Sequence, residues 1–86
     1  MHESGIVQSL VARAESVVKE SGVPGAERIG VKVGALSGVD PQVLRTHWGR
    51  FATALTGDAE LEIIVDDDPV AADALGVSLA YVDVAD

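Results

Sequence analysis

The first third of the chain carries hydrophobic residues at intervals of three and four. On a helix they form one continuous stripe, made of Ile6, Val7, Leu10, Val11, Ala14, Val17 and Val18. Ser4 is a candidate N-cap for this helix, and Gly22 followed by Pro24 predicts its end. His2 and Glu3 are therefore expected just ahead of a helix N-terminus.

Three later segments alternate hydrophobic and polar positions and predict strands at residues 28–33, 60–65 and 77–84. In the first strand, the alternation places Ile29 and Val31 on one face. In the last strand, strict alternation predicts one face with Ser78, Ala80, Val82 and Val84 and an opposite face with Val77, Leu79, Tyr81 and Asp83.

A second helix is predicted between the first two strands. Asp40 can cap the amides of its first turn, and Pro41 suits the first helical position because an N–H there has no partner. Gly57 is expected to end the helix. Its apolar stripe consists of Leu44, Trp48, Phe51 and Leu55.

The predicted order is helix, strand, helix, strand, strand in a single domain spanning residues 1–86. A strand–helix–strand crossover is parallel, and the last two strands, joined by residues 66–76, are expected to form an antiparallel hairpin. The predicted fold class is α/β, as an α+β two-layer fold with two helices on one face of a three-stranded mixed sheet. Four side chains are expected to share its core: Leu10, Trp48, Phe51 and Ile63.

Composition and charge narrow the classes of function. A net charge of −8 over 86 residues repels phosphate backbones and anionic lipid, so neither nucleic acid nor a membrane is an expected partner. The chain has no cysteine, which excludes disulfides, thiolate zinc sites and thiol nucleophiles. It shows neither an apolar run of about 18 residues nor a basic signal-peptide start, so a cytoplasmic location is expected.

Several short motifs follow one another along the chain: Met1-His2-Glu3, VKVGALSGV at residues 31–39, Asp40-Pro41 and Asp58-Ala59-Glu60-Leu61-Glu62-Ile63. This ordered set resembles the HypA/HybF family of nickel chaperones for hydrogenase maturation. Two departures stand beside it. Ser4-Gly5 replaces the large apolar residue and serine that are usual in the family, and residues 66–76 form an acidic loop where the family has a zinc module with paired cysteines.

The resemblance implies a nickel site at the N-terminus. The Met1 α-amine, the His2 imidazole and nearby backbone amides would supply a planar nitrogen set suited to Ni(II), with Glu3 beside them. Asp40 is a candidate acid for orienting the imidazole, and it is also explained as an N-cap. No zinc is expected, because residues 66–76 contain neither cysteine nor histidine.

Other candidate groups have simpler interpretations. His47, beside the apolar stripe and four residues before Phe51, is expected to be a partly buried packing residue rather than a ligand. The run of three aspartates, Asp66, Asp67 and Asp68, lacks the spacing of a calcium loop and is expected to be a solvated segment that blocks edge pairing. No Ser/His/Asp or Cys/His set is present, so an enzyme is not expected.

By resemblance, the chain is expected to be a nickel-binding metallochaperone or accessory protein for maturation of a hydrogenase-type nickel enzyme. Its expected protein partners are a HypB-like GTPase and a hydrogenase large subunit. The alternative is a HypA-like protein-interaction module in an assembly or biosynthetic pathway, without metal transfer. Nickel binding by the untagged chain separates the two hypotheses.

Overall fold

The computed structural model describes residues 3–53 and 56–84. Its helices are α1 (Glu3–Ser21) and α2 (Pro41–Phe51), and its strands are β1 (Ala26–Val33), β2 (Glu60–Val65) and β3 (Val77–Val84). β1 lies in the centre of the sheet, parallel to β2 and antiparallel to β3. α1 packs against α2 and β3, and α2 also contacts β2. The predicted α+β class with a three-stranded mixed sheet is confirmed.

Hydrophobic side chains fill the space between the helices and the sheet. The largest that are fully buried are Ile29, Leu44, Val7, Val18 and Val31. Trp48 is 5% exposed, and Phe51 and Ile63 pack against the cluster that contains Trp48 and Leu10. The predicted shared core is therefore confirmed.

The predicted antiparallel hairpin between β2 and β3 is wrong. These two strands lie on opposite edges of the sheet, and the antiparallel partner of β3 is β1. β1 contributes Ile29, Val31 and Val33, which are all buried. Its central place gives the backbone N–H and C=O groups on both of its edges a strand to pair with. Residues 66–76 consequently pass across the end of β1 instead of forming a hairpin tip.

Strict alternation along β3 is also wrong, because the strand contains a bulge. Tyr81 lies opposite Gly30 and Leu79 lies opposite Val31, so Ala80 is an extra residue. The bulge changes which side chains reach the core, and those that pack against it are Val77, Leu79, Val82 and Val84. Tyr81 lies instead on the sheet face turned away from the helices, which we call the open face.

The start of α1 differs from the prediction. The helix begins at Glu3, so Ser4 lies inside its first turn and is not the N-cap. The end of α1 is as predicted: Gly22 has a φ of 69°, and its N–H donates to the Lys19 carbonyl at 3.2 Å. Among the described residues, no helix combines the length and the apolarity that a bilayer span needs.

α2 ends at Phe51 rather than at Gly57. The residues that follow make a turn in which the Thr53 N–H donates to the Thr56 hydroxyl at 3.1 Å. Thr56 is only 1% exposed, so the turn is tied to the protein interior through a buried, hydrogen-bonded side chain. Leu55, predicted to extend the apolar stripe, lies outside the described residues.

Residues 66–76 are bound to the end of β1. The Gly34 N–H donates to the Gly76 carbonyl at 2.9 Å, and the Leu36 N–H donates to the Ala74 carbonyl at 2.7 Å. A Cβ added to Gly34 would come within 2.6 Å of the Ala74 carbonyl carbon, so glycine is needed for this close approach. Ala74 itself is buried.

Lys32 holds the same segment through two ion pairs. Its ammonium lies 3.4 Å from Asp66 and 2.9 Å from Asp73. The hydrogen bond with Asp73 raises the pKa of Lys32 above its usual value and lowers the pKa of Asp73 below its usual value. The prediction that the aspartate run is a purely solvated segment is therefore wrong for Asp66, since this carboxylate joins the segment to the sheet.

Candidate metal centre

The predicted nickel ligands lie at the start of α1. Met1 and His2 are outside the described residues, and Glu3 is the first residue of the helix. Val7 and Leu10, in the next two turns, are buried in the core and hold this end of α1 in place. Any ligand at position 2 is thus attached directly to an anchored helix.

The electrostatics of this helix end restrict the ligands that can hold a cation there. The first N–H groups of a helix carry a partial positive charge, which opposes a metal ion placed against them. Anionic donors, such as deprotonated backbone amides or the Glu3 carboxylate, would offset that effect. The net charge of −8 also makes the whole molecule attractive to a divalent cation.

A groove of about 440 Å³ runs beside the first turns of α1. Its lining consists of Gly5, Ile6, Ser9, Leu10, Arg13 and Val77. Apolar side chains make up half of this lining, and its charged member, Arg13, is a cation. The groove therefore has the wrong donors for a metal ion.

Asp40 caps α2, as one of its two interpretations predicted. The Asp40 Oδ1 accepts a hydrogen bond from the Gln42 N–H at 2.8 Å, and Pro41 occupies the first helical position. This geometry accounts for Asp40 without a metal. Its possible contact with the His2 imidazole stays a prediction, because His2 lies outside the described residues.

His47 has the packing position that was predicted for it. Its ring lies nearly parallel to that of Phe51, with centroids 6.5 Å apart and an interplanar angle of 16°. Its Nδ1 is buried and has no hydrogen-bond partner among the described residues. Within residues 3–53 and 56–84, no three His, Asp or Glu side chains are arranged to hold a metal ion.

One polar arrangement on the open face was not predicted from the sequence. The Tyr81 ring crosses Gly30, and its hydroxyl donates to the Glu62 carboxylate at 2.5 Å, so one side chain of β3 spans β1 to reach β2. This hydrogen bond raises the pKa of Tyr81 above its usual value. The signal available in the sequence was a glycine between Ile29 and Val31 in the middle of the first strand, which indicates a close approach by another group.

The chain is similar to proteins of one known family. A family model described as "Hydrogenase/urease nickel incorporation, metallochaperone, hypA" matches residues 1–72. The chain belongs to the HypA family. The match includes the N-terminal motif, both helices and the first two strands, and it ends inside the acidic segment.

Two relatives are named as HypA hydrogenase maturation factors. The Aquifex aeolicus (strain VF5) protein is 32% identical over 66 residues, which are 77% of this chain and 56% of the relative. The Shewanella sp. (strain MR-7) protein is 34% identical over 64 residues, which are 73% of this chain and 54% of the relative. The chain thus spans about half the length of the curated relatives it matches.

A solved structure shows the same fold. The solution structure of the Ni metallochaperone HypA from Helicobacter pylori superposes with a TM-score of 0.82 and is 22% identical in sequence. The superposition covers 98% of this chain and 97% of that chain. The mixed sheet and its two helices are therefore the HypA arrangement.

Proposed function

We propose that this chain is a nickel-binding metallochaperone that takes part in the maturation of a nickel enzyme. The observation that carries the proposal is the HypA match over residues 1–72, a span that includes Met1, His2, Glu3 and all of α1. The family is described by nickel incorporation, and the relatives are named for hydrogenase maturation. Holding and passing on a metal ion needs no catalytic residues, which agrees with a non-enzymatic role.

The nickel ligands in this proposal are nitrogen atoms at the N-terminus. They are the Met1 α-amine, the His2 imidazole and neighbouring backbone amides. The amine is available when the chain begins at Met1 with a free N-terminus. A planar set of such donors suits Ni(II). Deprotonated amides would also supply the negative charge that a cation needs at the positive end of α1.

The two acids near this site have secondary roles in the proposal. Glu3 is the first residue of α1 and directly follows Met1 and His2 in the chain. Asp40 is tied to its capping hydrogen bond, so we assign it at most a contact with the His2 imidazole. Replacing Glu3 or Asp40 is therefore expected to weaken nickel binding less than replacing His2.

The acidic segment 66–76 is proposed to stand where the family resemblance implies a zinc module. It contains neither cysteine nor histidine, and its backbone is bonded to Gly34 and Leu36. We expect residues 1–86 to act as one domain that binds no zinc. Elemental analysis of the purified chain should find bound zinc well below one equivalent.

The proposed partners are proteins. A HypB-like GTPase and a hydrogenase large subunit are the partners implied by membership of the HypA family, and a cytoplasmic location would give access to both. The groove beside the first turns of α1, lined in part by Gly5, Ile6 and Leu10, is a candidate surface for a receiving protein.

The second candidate function is an interaction module that keeps the HypA fold without moving metal. Its support is that residues 66–76, where the resemblance implies a zinc module, contain neither cysteine nor histidine. The described residues nevertheless contain a complete sheet and core, which could serve as a binding scaffold alone.

Nickel calorimetry on the untagged chain at about pH 7.5 tests the proposal. The expected result is one equivalent bound, with loss of that binding in His2→Ala and in a form whose N-terminus is extended by a tag. Acidification below neutral should weaken binding, because protons compete for the imidazole, with a reference pKa of about 6.5, and for the amine, at about 7.7 to 8.0.

His47→Gln is the matched control, since it removes the other histidine of the chain while leaving the N-terminus unchanged. It should bind nickel like the unmodified protein. Equal binding by the untagged, tagged and His2→Ala forms would overturn the assignment of the site. Absence of stoichiometric binding in the untagged chain would favour the interaction module.

A further inference from the structure

β2 is an edge strand whose outer side is open to a partner. The Asp66 N–H donates to the Val33 carbonyl at 3.0 Å, which shows that residue 66 turns its backbone groups toward β1. Because backbone groups alternate along a strand, the N–H and C=O groups of Leu61, Ile63 and Val65 point outward. Arg45 confirms this direction: its guanidinium donates to the Leu61 carbonyl from outside the sheet, at 3.1 Å.

The outward groups beyond Leu61 are unpaired. In the described part of the chain, the strand-edge groups of Ile63 and Val65 have no hydrogen-bond partner. Val65 is 59% exposed and its neighbour Ile64 is 38% exposed, so unpaired backbone and apolar side chains occur together at one edge. Proteins usually protect such an edge, because it is a template for another strand.

The opposite edge of the sheet is protected in a way that β2 is not. β3 carries the bulge at Ala80, which interrupts its regular pairing and twists the strand. β2 runs in unbroken register with β1 from Glu60 to Val65. Of the two edges, β2 therefore offers the longer regular ladder.

The charges on β2 disfavour a second copy of this chain as the added strand. Antiparallel self-pairing about Leu61 would place Glu60 opposite Glu62, and self-pairing about Ile63 would place Glu60 opposite Asp66. Like charges directly opposite one another destabilise strand pairing. The acidic side chains of Glu60 and Glu62 on the open face instead favour an added strand with basic side chains.

We propose that the β2 edge binds an extended segment of another protein, in which lysine or arginine alternates with apolar residues. Its backbone would pair with the outward groups of Ile63 and Val65, in the manner of strand addition. Its basic side chains would lie beside Glu60 and Glu62 on the open face, and its apolar side chains beside Leu61 and Ile63. This site is separate from the N-terminus and does not depend on nickel.

The probe for this proposal is a synthetic hexapeptide of alternating lysine and valine, titrated into the full chain and followed by NMR amide exchange. Exchange should slow at least about threefold at Ile63 and Val65, whereas Glu62 and Ile64 should be little affected because their amides already face β1. This alternating pattern distinguishes strand pairing from diffuse attraction to an acidic surface. Slowing spread over the whole surface, or centred on β3, would overturn the proposal.

Two variants test the backbone and the charge separately. Val65→Pro removes one outward N–H from an exposed edge position without removing a bond to β1, and it should weaken peptide binding by about three- to tenfold. Glu60→Lys should weaken binding by a similar factor, about threefold or more, and should favour an alternating glutamate–valine peptide. Asp83→Lys, the same charge change on β3, is the matched control and should have a smaller effect.

Three further results would count against the proposal. A peptide of three lysines followed by three valines should bind more weakly than the alternating one, so equal binding would indicate charge attraction alone. Unchanged binding by Val65→Pro would exclude backbone pairing. Protection of the same amides that rises with protein concentration, without peptide, would show that a second copy occupies the edge. Nickel titration of Val65→Pro should match that of the unmodified chain, which keeps this test independent of the metal site.

Discussion

The two faces of the sheet are stabilised in different ways. Under the helices, β1 buries Ile29, Val31 and Val33 in one continuous apolar core. On the open face, individual polar contacts join the strands: the Arg28–Glu60 pair, at 3.8 Å, joins β1 to β2, and the hydrogen bond from Tyr81 to Glu62 joins β3 to β2 across β1. Burial of apolar area tolerates small changes of geometry, whereas each polar contact depends on where two particular atoms lie. The face under the helices, the covered face, should therefore contribute most of the stability. Substitutions on the open face should have local, specific effects.

The largest expected effect comes from removing the indole of the covered face. Trp48→Ala should lower the free energy of unfolding by about 3 to 5 kcal/mol, because it leaves a cavity in a small core. Urea unfolding measures the change. Val43→Ala, on the exposed side of the same helix, is the control and should cost less than about 1 kcal/mol. Similar losses for both variants would contradict burial of the indole as the cause of the loss.

An intermediate effect is expected where the open face needs a glycine. In Gly30→Ala the added Cβ would lie 2.7 Å from Tyr81 Cζ, so the ring must move off β1 and give up its place beside Glu62. We expect the free energy of unfolding to fall by about 1 to 3 kcal/mol, again measured by urea unfolding.

Two comparisons isolate the cause of that loss. Gly49→Ala adds a methyl group to α2 with no atom within 4 Å, and it should be neutral or stabilise the protein by up to about 1 kcal/mol. In a Tyr81→Ala background, Gly30→Ala should cost much less, because the ring it displaces is gone. A cost that stays the same in both backgrounds would show that the strand, not the ring, requires glycine.

The smallest effect concerns the protonation of Tyr81. Its pKa is raised mainly by the hydrogen bond to Glu62, so this bond stabilises the folded state below about pH 10, and the contribution is lost as pH rises through the folded-state pKa. Glu62→Ala should move the pKa of Tyr81 down toward its usual value. Ultraviolet absorbance reports it directly, since Tyr81 is the sole tyrosine of the chain. Glu60→Ala is the control, and an equal shift in both variants would contradict the specific contact.

The sequence by itself determined the elements and the covered face. Periods of three to four and of two are imposed by backbone geometry, so α1, β2 and the core positions Leu10, Trp48 and Ile63 could be predicted locally. The order of the short motifs along the chain likewise indicates the HypA family. At the N-terminus, however, the sequence supports a nickel site only as a proposal, since Met1 and His2 lie outside the described residues.

The tertiary structure alone decided the features that require contact between two segments distant in sequence. Whether β3 pairs with β2 or with β1 is not encoded in the alternation of either strand, and the central place of β1 lets both of its edges pair. The bulge at Ala80, the crossing of Gly30 by Tyr81, and the pairing of Lys32 with Asp66 and Asp73 all follow from that arrangement. A period read along one strand contains no information about which side chain of another strand will lie across it.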